Sequence, residues 1–253
     1  MLYKVKIKPK SMYKTELKSS TLFGALMCTV AHLFGDKYVT DICEGVKEFV
    51  VSDAFPSGYL PNQNDLNTLI NADGNIVSKD SIHKQSVTYK CQINRDTGCA
   101  DSYRNELANY SIKTFEVYIL TNVFNANEIR TIFETLFKLG LGAGKSCGYG
   151  DFELAGLEEN VELNLLKQGE TPTGYMVLSD YIPNDNDSIE GNYSIRLVNS
   201  KTSEGRNRGT YALINSGSKF KGVLQGVTVG KIIKDDDTNT YFSGKALVTP
   251  IVY

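Results

Sequence analysis

The first residues of the chain alternate between hydrophobic and basic side chains. In the stretch LYKVKIKPK, Tyr3, Val5 and Ile7 would point to one side of an extended strand and the intervening lysines to the other. We call these lysines the lysine row: Lys4, Lys6, Lys8 and, beyond Pro9, Lys10. The pattern predicts a β-strand with one side in the core. Because like charges on one strand face repel, an anionic ligand across the row is one interpretation and a solvated sheet face is the other.

A helix is predicted from about residue 21 to residue 34, in the stretch TLFGALMCTVAHLF. Its side chains are apolar on nearly every face, which is typical of a buried helix. Ser19 or Ser20 is the predicted N-cap, because a serine oxygen accepts from the free N–H groups of a first turn, and Gly35 is the predicted end. His32 lies in this segment and is interpreted as a core or helix-end residue, not as a catalytic one.

A second helix is predicted from Asn125 to Lys138, because its apolar residues recur at helical spacing. Asn125 is a suitable N-cap with Glu128 three residues later, and Gly140 is a suitable terminator. Strand-like stretches surround the two helices and give the order β-α-β-β-α-β over residues 1–157. This ferredoxin-like order carries helices on one face of its sheet and leaves the other face open. RNA-recognition domains use that open face, and the lysine row would lie on it.

Three further segments complete the organisation of the chain. Residues 62–82 are rich in Asn and Asp and are interpreted as a polar insertion, and residues 86–108 as a long hairpin whose turn is NRDTG. Residues 158–253 contain short strand-like stretches separated by turns and no evident helix, which predicts a β-rich second domain after a junction at about 158–173. The predicted fold class is therefore α+β.

The stretch GLGAGKSCGYGDF, residues 140–152, resembles a phosphate-binding P-loop. The Walker A pattern needs a glycine five residues before its Gly-Lys pair, but that position is Leu139. A P-loop also follows a strand and opens a helix, whereas this stretch follows a helix and precedes a strand. A nucleotide-hydrolysing site is therefore not favoured. A plain helix-to-strand turn and a loop that lies against an extended polyanion stay as the two interpretations.

The residue types in this loop favour single-stranded RNA over a compact nucleotide. Glycine amides can approach a sugar-phosphate backbone without obstruction by a Cβ atom and can form anion-binding nests. Lys145 adds a positive charge, Ser146 a hydroxyl, and Tyr149 a ring on which an unpaired base can stack. The glycines concerned are Gly140, Gly142, Gly144, Gly148 and Gly150.

Composition narrows the class of protein. The net charge of −2 does not predict nucleic-acid binding, so only local clusters of charge can do so. No apolar run reaches the roughly 18 residues of a membrane helix, and the N-terminus lacks a signal-peptide core, so a cytoplasmic protein without membrane contact is expected. The five cysteines form no CxxC pair and there are two histidines, so reduced thiols are expected, and no metal or cofactor.

Several stretches together resemble one family. SSTLFGAL, FPSGYLP, QINRDTG followed by SYRNELANY, GLGAGKSCGYGDF and YALINSGSKFKG occur here in that order. The order is similar to that of the fourth subunit of the type III-A (Csm) CRISPR interference complex, a RAMP protein of the Cas-five group. The resemblance extends from Leu2 to about Pro250. The glycine loop alone is shared by many RAMP proteins, and its combination with QINRDTG and SGSKF is the specific feature.

The resemblance implies tandem ferredoxin-like, RRM-like RAMP domains over residues 1–157 and 158–253, the second degenerate and β-rich, with the hairpin as a thumb along the guide. It implies a non-catalytic subunit that holds the single-stranded 5′ repeat-derived tag of the CRISPR RNA in antiviral defence. The expected partners are the CRISPR RNA, the large signalling subunit and the first copy of the backbone RAMP subunit, between which the protein would lie at the base of the complex.

Candidate RNA contacts outside the lysine row and the glycine loop fall in three places. They are Ser19 and Ser20 before the first helix, Gln92, Asn94 and Arg95 in the hairpin, and Ser216, Gly217, Ser218 and Lys219 in the second half. The hairpin side chains can bond base edges or phosphates, and the small polar loop around residue 217 could meet RNA from the second domain. Ordinary turn chemistry is the alternative explanation for both sets.

Two other functions stay open. A CRISPR RNA-processing endoribonuclease shares the domains and the glycine loop and often uses a histidine as general acid or base, but neither His32 nor His83 has an evident partner in the sequence. A pure assembly module would turn its basic face to an acidic protein. Cleavage of repeat RNA would support the nuclease, salt-sensitive binding without cleavage the RNA-holding subunit, and no RNA binding the assembly module.

Overall fold

The computed structural model describes residues 1–81, 84–93, 95–110, 113–163, 165–166, 169–185, 187, 189–201, 207–222, 224, 226–235 and 240–253. Within these residues the helices are α1 (Ser19–Phe34), α2 (Asp36–Cys43) and α3 (Ala126–Leu139), with short 3₁₀ turns at Lys79–Ser81 and Lys145–Cys147. The strands follow one another as β1 (Leu2–Pro9), β2 (Phe49–Val51), β3 (Phe55–Pro56), β4 (Tyr59–Pro61), β5 (Thr68–Asn71), β6 (Ile76–Ser78), β7 (Lys84–Ile93), β8 (Ala100–Tyr110), β9 (Phe115–Thr121), β10 (Phe152–Glu159), β11 (Gly174–Val177), β12 (Gly191–Asn192), β13 (Ile195–Lys201), β14 (Asn207–Ile214), β15 (Lys219–Lys221), β16 (Thr228–Val229), β17 (Ile232–Asp235), β18 (Thr240–Ser243) and β19 (Ala246–Ile251).

The first sheet has the strand order β10-β1-β9-β2, and β3 also pairs with β9. All of these pairs are antiparallel. If β1, β2, β9 and β10 are taken as the four strands of the predicted domain, the fourth and third strands flank the first, and the second lies at the edge. This is the ferredoxin-like arrangement. The predicted α+β class and the predicted element order of the first half are confirmed.

The alternation predicted for β1 is present in the structure. Tyr3, Val5 and Ile7 are fully buried and pack in one cluster with residues of α1 and α3. Burying an aliphatic side chain of this size contributes roughly 1.5–3 kcal/mol, and a slip of one residue would turn all three to the other face. The hydrophobic face therefore fixes the register in which Val5 lies opposite Val117 of β9 and Leu157 of β10.

Helix α1 begins at Ser19, and the prediction that Ser19 or Ser20 caps it is wrong. The N-cap position is Lys18, whose side chain accepts no hydrogen bond from the helix. The Ser19 N–H instead donates to Asp53 Oδ1 at 2.7 Å, and this carboxylate lies 34 residues further along the chain. A tertiary contact thereby takes the place of the local cap. Gly35 ends the helix as predicted, with φ +92°.

Most residues of α1 are buried or partly buried, as predicted, and one narrow side of the helix is exposed. Gly24, Cys28 and His32 lie four residues apart along that side, and all three are exposed. The small or polar character of these residues is the signal for an outer face. His32 lies in the last turn, as the helix-end interpretation predicts. Helix α2, with Ile42 and Cys43 as its buried residues, has no counterpart in the sequence prediction.

The second sheet has the order β12-β15-β11-β19-β16. From this half, Met176, Leu178 and Leu247 pack with Val50 of β2 and Tyr118 of β9 in one buried cluster. The second half thus covers the face of β2 and β9 that the helices leave bare, and the expectation of an open face is wrong for these two strands. Both strands bury side chains on both faces, so each face needs a packed layer against it.

The smaller sheets lie around these two. The predicted polar insertion contributes most of a three-stranded sheet, β4-β5-β6, which Leu69 anchors in the cluster between the main sheets. Strands β7 and β8 form the predicted hairpin, and β13 with β14 and β17 with β18 form two more two-stranded sheets. Among the described residues no helix follows residue 147, so the β-rich character of the second half is confirmed. The domain boundary between residues 157 and 158 stays a prediction.

Replacement of Asn125 by alanine tests the local stability of α3. The Asn125 side chain accepts from the Glu128 N–H at 3.1 Å, and Glu128 Oε2 accepts from the Asn125 N–H at 2.8 Å, which completes the predicted capping box. We expect Asn125→Ala to lower the free energy of unfolding by about 1 kcal/mol. Asn127→Ala, at an exposed position of the same turn, is the control and should change it by less than about 0.5 kcal/mol. Urea unfolding measures both, and equal stability of the two variants would contradict the expectation.

Candidate nucleic-acid interface

The glycine loop, residues 140–150, connects α3 to β10 in the predicted helix–loop–strand order. All five of its glycines have φ between +74° and +87°. Residues with a Cβ atom rarely adopt this range, so the glycines are a requirement of the backbone path and not only of flexibility. The path of the loop therefore depends on glycine at these five positions.

The loop is anchored to the segment that follows β1. The Gly150 N–H donates to the Met12 carbonyl at 2.9 Å, and the Ala143 N–H donates to Thr15 Oγ1 at 2.9 Å. The Leu141 N–H donates to the Gly150 carbonyl at 2.9 Å and closes the base of the loop. A Cβ atom on Gly150 would overlap the Leu141 carbonyl oxygen. The base of the loop thus tolerates only glycine at this position.

The outer turn of the loop faces solvent. Lys145, Ser146 and Cys147 form a single 3₁₀ turn, and all three are exposed. Within the part of the chain that the structure describes, the N–H groups of Gly144, Lys145 and Ser146 donate no hydrogen bond to the protein. Consecutive N–H groups of this kind beside a lysine suit an anion such as a phosphate.

Lys14 completes the surface of the loop, and the sequence analysis missed it. Its ammonium group stands 4.3 Å from the centroid of the half-exposed Tyr149 ring. A Cβ atom on Gly144 would lie 3.2 Å from that ring, so the glycine leaves room for the stack. A ring beside a cation is the combination that single-stranded nucleic-acid sites use for a base and its phosphate. In the sequence, Lys14 is one of three lysines in the stretch KSMYKTELK, and a solvent-exposed segment would have the same pattern.

The first lysines of the row form ion pairs with the neighbouring strand β10. Lys4 and Lys6 bind the two carboxylate oxygens of Glu158 at 2.5 and 2.7 Å. The hydrogen bonds from Lys4 and Lys6 lower the pKa of Glu158, and the same contact raises the pKa of Lys6. The protein itself thus supplies an anion that relieves the repulsion within the row. An external anion is not required, contrary to one interpretation of the sequence.

The last two lysines of the row are more exposed. Lys8 lies 3.4 Å from Glu153 and Lys10 3.7 Å from Asp151, and both lysine side chains are 52% exposed. Surface ion pairs of this kind contribute only about 0–1 kcal/mol, so a phosphate can replace the carboxylate at small cost. The role of the lysine row in RNA binding stays a prediction.

Ser19 and Ser20 point into the protein. The Asp180 N–H donates to Ser19 Oγ at 2.7 Å, and Ser20 Oγ donates to Asp180 Oδ2 at 2.6 Å. Arg196 binds the same carboxylate oxygen at 2.7 Å, whereas Asp180 Oδ1 has no hydrogen-bond partner among the described residues. Burial, and after it the charge of Asp53, raises the pKa of Asp180, against the effect of Arg196 and Ser20.

Asp53 joins the first half of the chain to Ser216 in the second. Ser216 Oγ donates to Asp53 Oδ2 at 2.5 Å, and Lys18 Nζ binds the same oxygen at 3.0 Å. Burial by itself would raise the pKa of Asp53, but Lys18 and the hydrogen bonds from Ser216 and Ser19 outweigh burial and lower it. An ionised carboxylate is therefore held in the interior between α1, the end of β2 and the loop after β14.

The polar loop around residue 217 serves this internal network. The hydroxyls of Ser19, Ser216 and Ser218 are buried and bonded to protein groups. The predicted RNA contacts at these three hydroxyls are therefore replaced by contacts inside the protein, because their oxygens are needed to satisfy buried polar groups. Gly217 has φ +90°, and the Lys219 ammonium lies 5.5 Å from the centroid of the Tyr253 ring.

A cavity of about 610 Å³ lies beside this network. Lys14, Lys18, Lys79, Asp53 and Ser216 contribute to its wall. Lys14 also belongs to the surface of the glycine loop, so the loop and the cavity adjoin. The structure thereby places Ser216 in the wall of the same cavity as Lys14, which contacts Tyr149 of the glycine loop.

The structure describes two of the three candidate RNA-contact residues of the hairpin. Arg95 is exposed in the turn between β7 and β8, and Gln92 belongs to β7. Asn94 lies outside the described residues, as does His83. The base of the hairpin, not its turn, contributes to the wall of the cavity.

Cysteine and metal chemistry adds little to this surface. Cys28, Cys99 and Cys147 are exposed free thiols, and burial raises the pKa of the free thiol of Cys43 to about 12. The described ranges contain no group of three or more His, Cys, Asp or Glu side chains placed to hold a metal ion. None of the helices described has both the length and the apolar content needed to cross a membrane.

Comparison with known proteins identifies the fold. No protein-family model and no curated protein sequence matches the chain. A chain in the crystal structure of the Csm3-Csm4 subcomplex in the type III-A CRISPR-Cas interference complex has a TM-score of 0.62 at 17% identity, over 100% of both chains. Chains in the crystal structures of the Csm1-Csm4 cassette have TM-scores of 0.59 with AMPPNP (15% identity, 99% of this chain and 97% of that one) and 0.60 with cA4 (16%, 99% and 96%). The likeness establishes a shared fold along the whole chain.

Gly148 and Gly150 offer a matched pair of substitutions. Both have positive φ, but a Cβ atom meets nothing within 4 Å at Gly148 and overlaps a carbonyl oxygen at Gly150. We expect Gly148→Ala to lower the free energy of unfolding by about 1–2 kcal/mol, the cost of the left-handed conformation. Gly150→Ala should lower it by roughly a further 1–3 kcal/mol because of the overlap. Urea unfolding compares them, and equal losses would mean that the base of the loop relaxes freely.

Asp53→Asn tests the buried carboxylate. The variant leaves the Lys18 ammonium without its counter-ion, so we expect a loss of about 3 kcal/mol at neutral pH. Asp151→Asn, which breaks the exposed pair with Lys10, is the control and should cost less than about 1 kcal/mol.

The pH dependence gives a second check on Asp53. Because folding lowers its pKa, the carboxylate stabilises the fold above the unfolded pKa of about 3.9 and loses that contribution as the pH falls through the folded value. The deficit of Asp53→Asn relative to the unsubstituted protein should therefore shrink below a pH of about 4. A deficit that stays constant on acidification would exclude an ionised Asp53.

Proposed function

We propose that the chain is a non-catalytic, RNA-binding subunit of a type III-A CRISPR interference complex, in the position of its fourth Csm subunit. The observation that carries the proposal is the likeness of fold, over the full length of both chains, to a chain of the Csm3-Csm4 subcomplex. The stretches FPSGYLP, QINRDTG and SGSKF resemble the same subunit and support it independently. Its role is to hold the single-stranded 5′ repeat-derived tag of the CRISPR RNA in antiviral defence.

The glycine loop and Lys14 form the centre of the proposed RNA site. The N–H groups of Gly144, Lys145 and Ser146 are available to phosphate oxygens, and the Lys145 side chain adds charge. The Tyr149 ring offers a face to an unpaired base. Contacts through backbone amides and stacking carry little sequence information, so this surface fixes the position of the strand more than its sequence.

The lysine row extends the site along β1. The Lys10 N–H donates to the Asp151 carbonyl at 2.9 Å, directly after the glycine loop, so the exposed end of the row begins where the loop ends. Lys8 and Lys10 are the members best placed to exchange a carboxylate for a phosphate, because their side chains are the most exposed. Arg95, at the turn of the hairpin, is a further exposed cation that would extend the contact along the guide.

The proposed protein partners are the large subunit and the backbone RAMP subunit. Solved structures that contain a chain of similar fold include a Csm3-Csm4 subcomplex and Csm1-Csm4 cassettes, which supports two protein neighbours for this chain. The chain by itself also exposes large apolar side chains to solvent. Ile195 and Leu197 on β13 are 59% and 74% exposed. A protein partner would remove this apolar surface from water.

The position of His32 does not support the endoribonuclease, and His83 lies outside the described residues. His32 lies 13 residues after Ser19 on α1, and at 1.5 Å per residue it stands about 20 Å along the helix from the network beside the cavity. A general acid or base must come within hydrogen-bond distance of the proton that it transfers. His32 is therefore too far from that network to transfer a proton there.

Co-expression tests the proposal as a whole. The chain is produced with and without candidate large and backbone subunits, and the co-purified RNA is sequenced. We expect the complex to retain CRISPR RNA with a uniform 5′ repeat-derived end, and the isolated chain to leave repeat RNA uncut. Metal-independent cleavage that is lost in His32→Ala would favour the nuclease instead. If the chain joins the complex, but the other subunits retain the same amount of RNA when the chain is left out, the result would favour the assembly module.

Tyr149 provides a specific prediction for the loop. If a base stacks on its ring, Tyr149→Ala should weaken RNA binding by about 1–3 kcal/mol, whereas Tyr149→Phe should bind normally because it keeps the ring. Alkylation of the exposed thiol of Cys147, two residues away, should slow when RNA is bound. Cys28, exposed on the outer side of α1, should react at the same rate with and without RNA. Normal RNA binding by Tyr149→Ala together with an unchanged Cys147 rate would remove the loop from the site.

A further inference from the structure

Lys79 occupies an unusual position in the wall of the cavity. It is half-buried in the 3₁₀ turn after β6, and its ammonium group donates one hydrogen bond, to the Ser216 carbonyl oxygen at 3.3 Å. It forms no salt bridge within the described part of the chain. A Cβ atom on Gly217 would lie 3.3 Å from the ammonium nitrogen, so the glycine makes room for it. A cation is thus held in place with a neutral acceptor only.

The electrostatic surroundings of Lys79 call for an anion. Burial, and after it the charge of Lys18, lowers the pKa of Lys79, while Asp53 and Asp65 act in the opposite direction. Asp53 is already paired with Lys18 at 3.0 Å and cannot serve both cations equally. A partly desolvated ammonium next to a second cation is costly unless a negative group pairs with it. The cavity in front of Lys79 is where such a group can enter.

The rest of the cavity wall combines apolar side chains with polar ones. Phe55, Pro56 and Phe115 supply apolar surface, and the amide side chains of Gln85 and Asn109 lie at the base of the hairpin. Small-ligand sites combine apolar surface with polar groups that fix the orientation of the ligand. The volume of about 610 Å³ is within the range of roughly 300–1,000 Å³ that such sites have. Glu16 and Asp80 also line the cavity, so its mixed charge suits one phosphate better than several.

We propose that this cavity binds one nucleotide of the RNA strand, with its phosphate on Lys79 and its base against the apolar wall. The inference rests on the proposed function for the identity of the strand. Lys14 connects the two sites, because it lines the cavity and also stacks on Tyr149 of the glycine loop. A strand held by the loop therefore passes Lys14 and places its next nucleotide in the cavity. Amide groups at Gln85 and Asn109 are placed to read the edge of that base.

The first experiment measures binding of a labelled single-stranded RNA of about ten nucleotides to the full chain over a range of salt concentrations. We expect Lys79→Gln to weaken binding about tenfold, as the loss of a charged hydrogen bond implies, and to reduce the slope of log affinity against log salt by about 0.7. Lys37→Gln, at an exposed position of α2, is the control and should change neither. Thermal unfolding of both variants checks that the fold is intact.

The second experiment tests the cavity without RNA. Lysines are acylated in the presence of adenosine monophosphate or adenosine, and each modified lysine is quantified by mass spectrometry. Protection of Lys79 by the nucleotide but not by the nucleoside, with Lys37 unprotected, would support the phosphate contact even if the chain bound no RNA and the proposed function failed. Unchanged RNA affinity and salt slope in Lys79→Gln, together with no protection of Lys79, would overturn the inference and leave the proposed function in place.

Discussion

The carboxylate of Asp53 is the contact on which the relation between the two halves depends. It accepts hydrogen bonds from the Ser19 N–H and from Ser216, and it pairs with Lys18. It therefore caps α1, neutralises a partly buried lysine and holds the loop after β14 at once. Buried ionic contacts add little net stability, but an arrangement that separated Asp53 from Lys18 would leave an uncompensated buried charge and would be costly. Asp53 thus specifies how the second half packs on the first.

The segment between β1 and α1, residues 10–18, connects the buried network around Asp53 to the proposed RNA site. At one end Met12 and Thr15 bind the base of the glycine loop, and at the other Lys18 binds Asp53. Between them, Lys14 reaches both the Tyr149 ring and the cavity. The loop and the cavity are therefore supported by one short stretch of backbone. A change in the buried network would therefore alter the proposed RNA site through this stretch.

The positive charge of the proposed RNA site is concentrated at particular points and does not cover a whole face of the protein. Three lysines of the row lie on β1 and Lys10 follows it, and each of the four pairs with a carboxylate of Glu158, Glu153 or Asp151, on or just before β10. This balance is consistent with a net charge of −2. Affinity for a polyanion then rests on backbone amides and on a few cations without a carboxylate partner, of which Lys79 is the clearest example. Such a surface favours a strand of defined path over non-specific binding of nucleic acid.

Local patterns in the sequence were sufficient for β1, α3 and the order of elements in the first sheet, because each depends on contacts between residues close together or on one hydrophobic period. Long-range contacts decided the rest. The cap of α1, the cover over β2 and β9, the partners of the lysine row and the meeting of Lys14, Lys79 and Ser216 all join residues distant in the chain. The hydrophobic periodicity of a sequence does not indicate which charged side chains will form an ion pair across a sheet or within a core. The glycines of residues 140–150 were sufficient to predict a loop. Which amides and side chains of that loop face solvent was decided by the packing of residues 10–18 against it, because these contacts are not encoded in a local pattern.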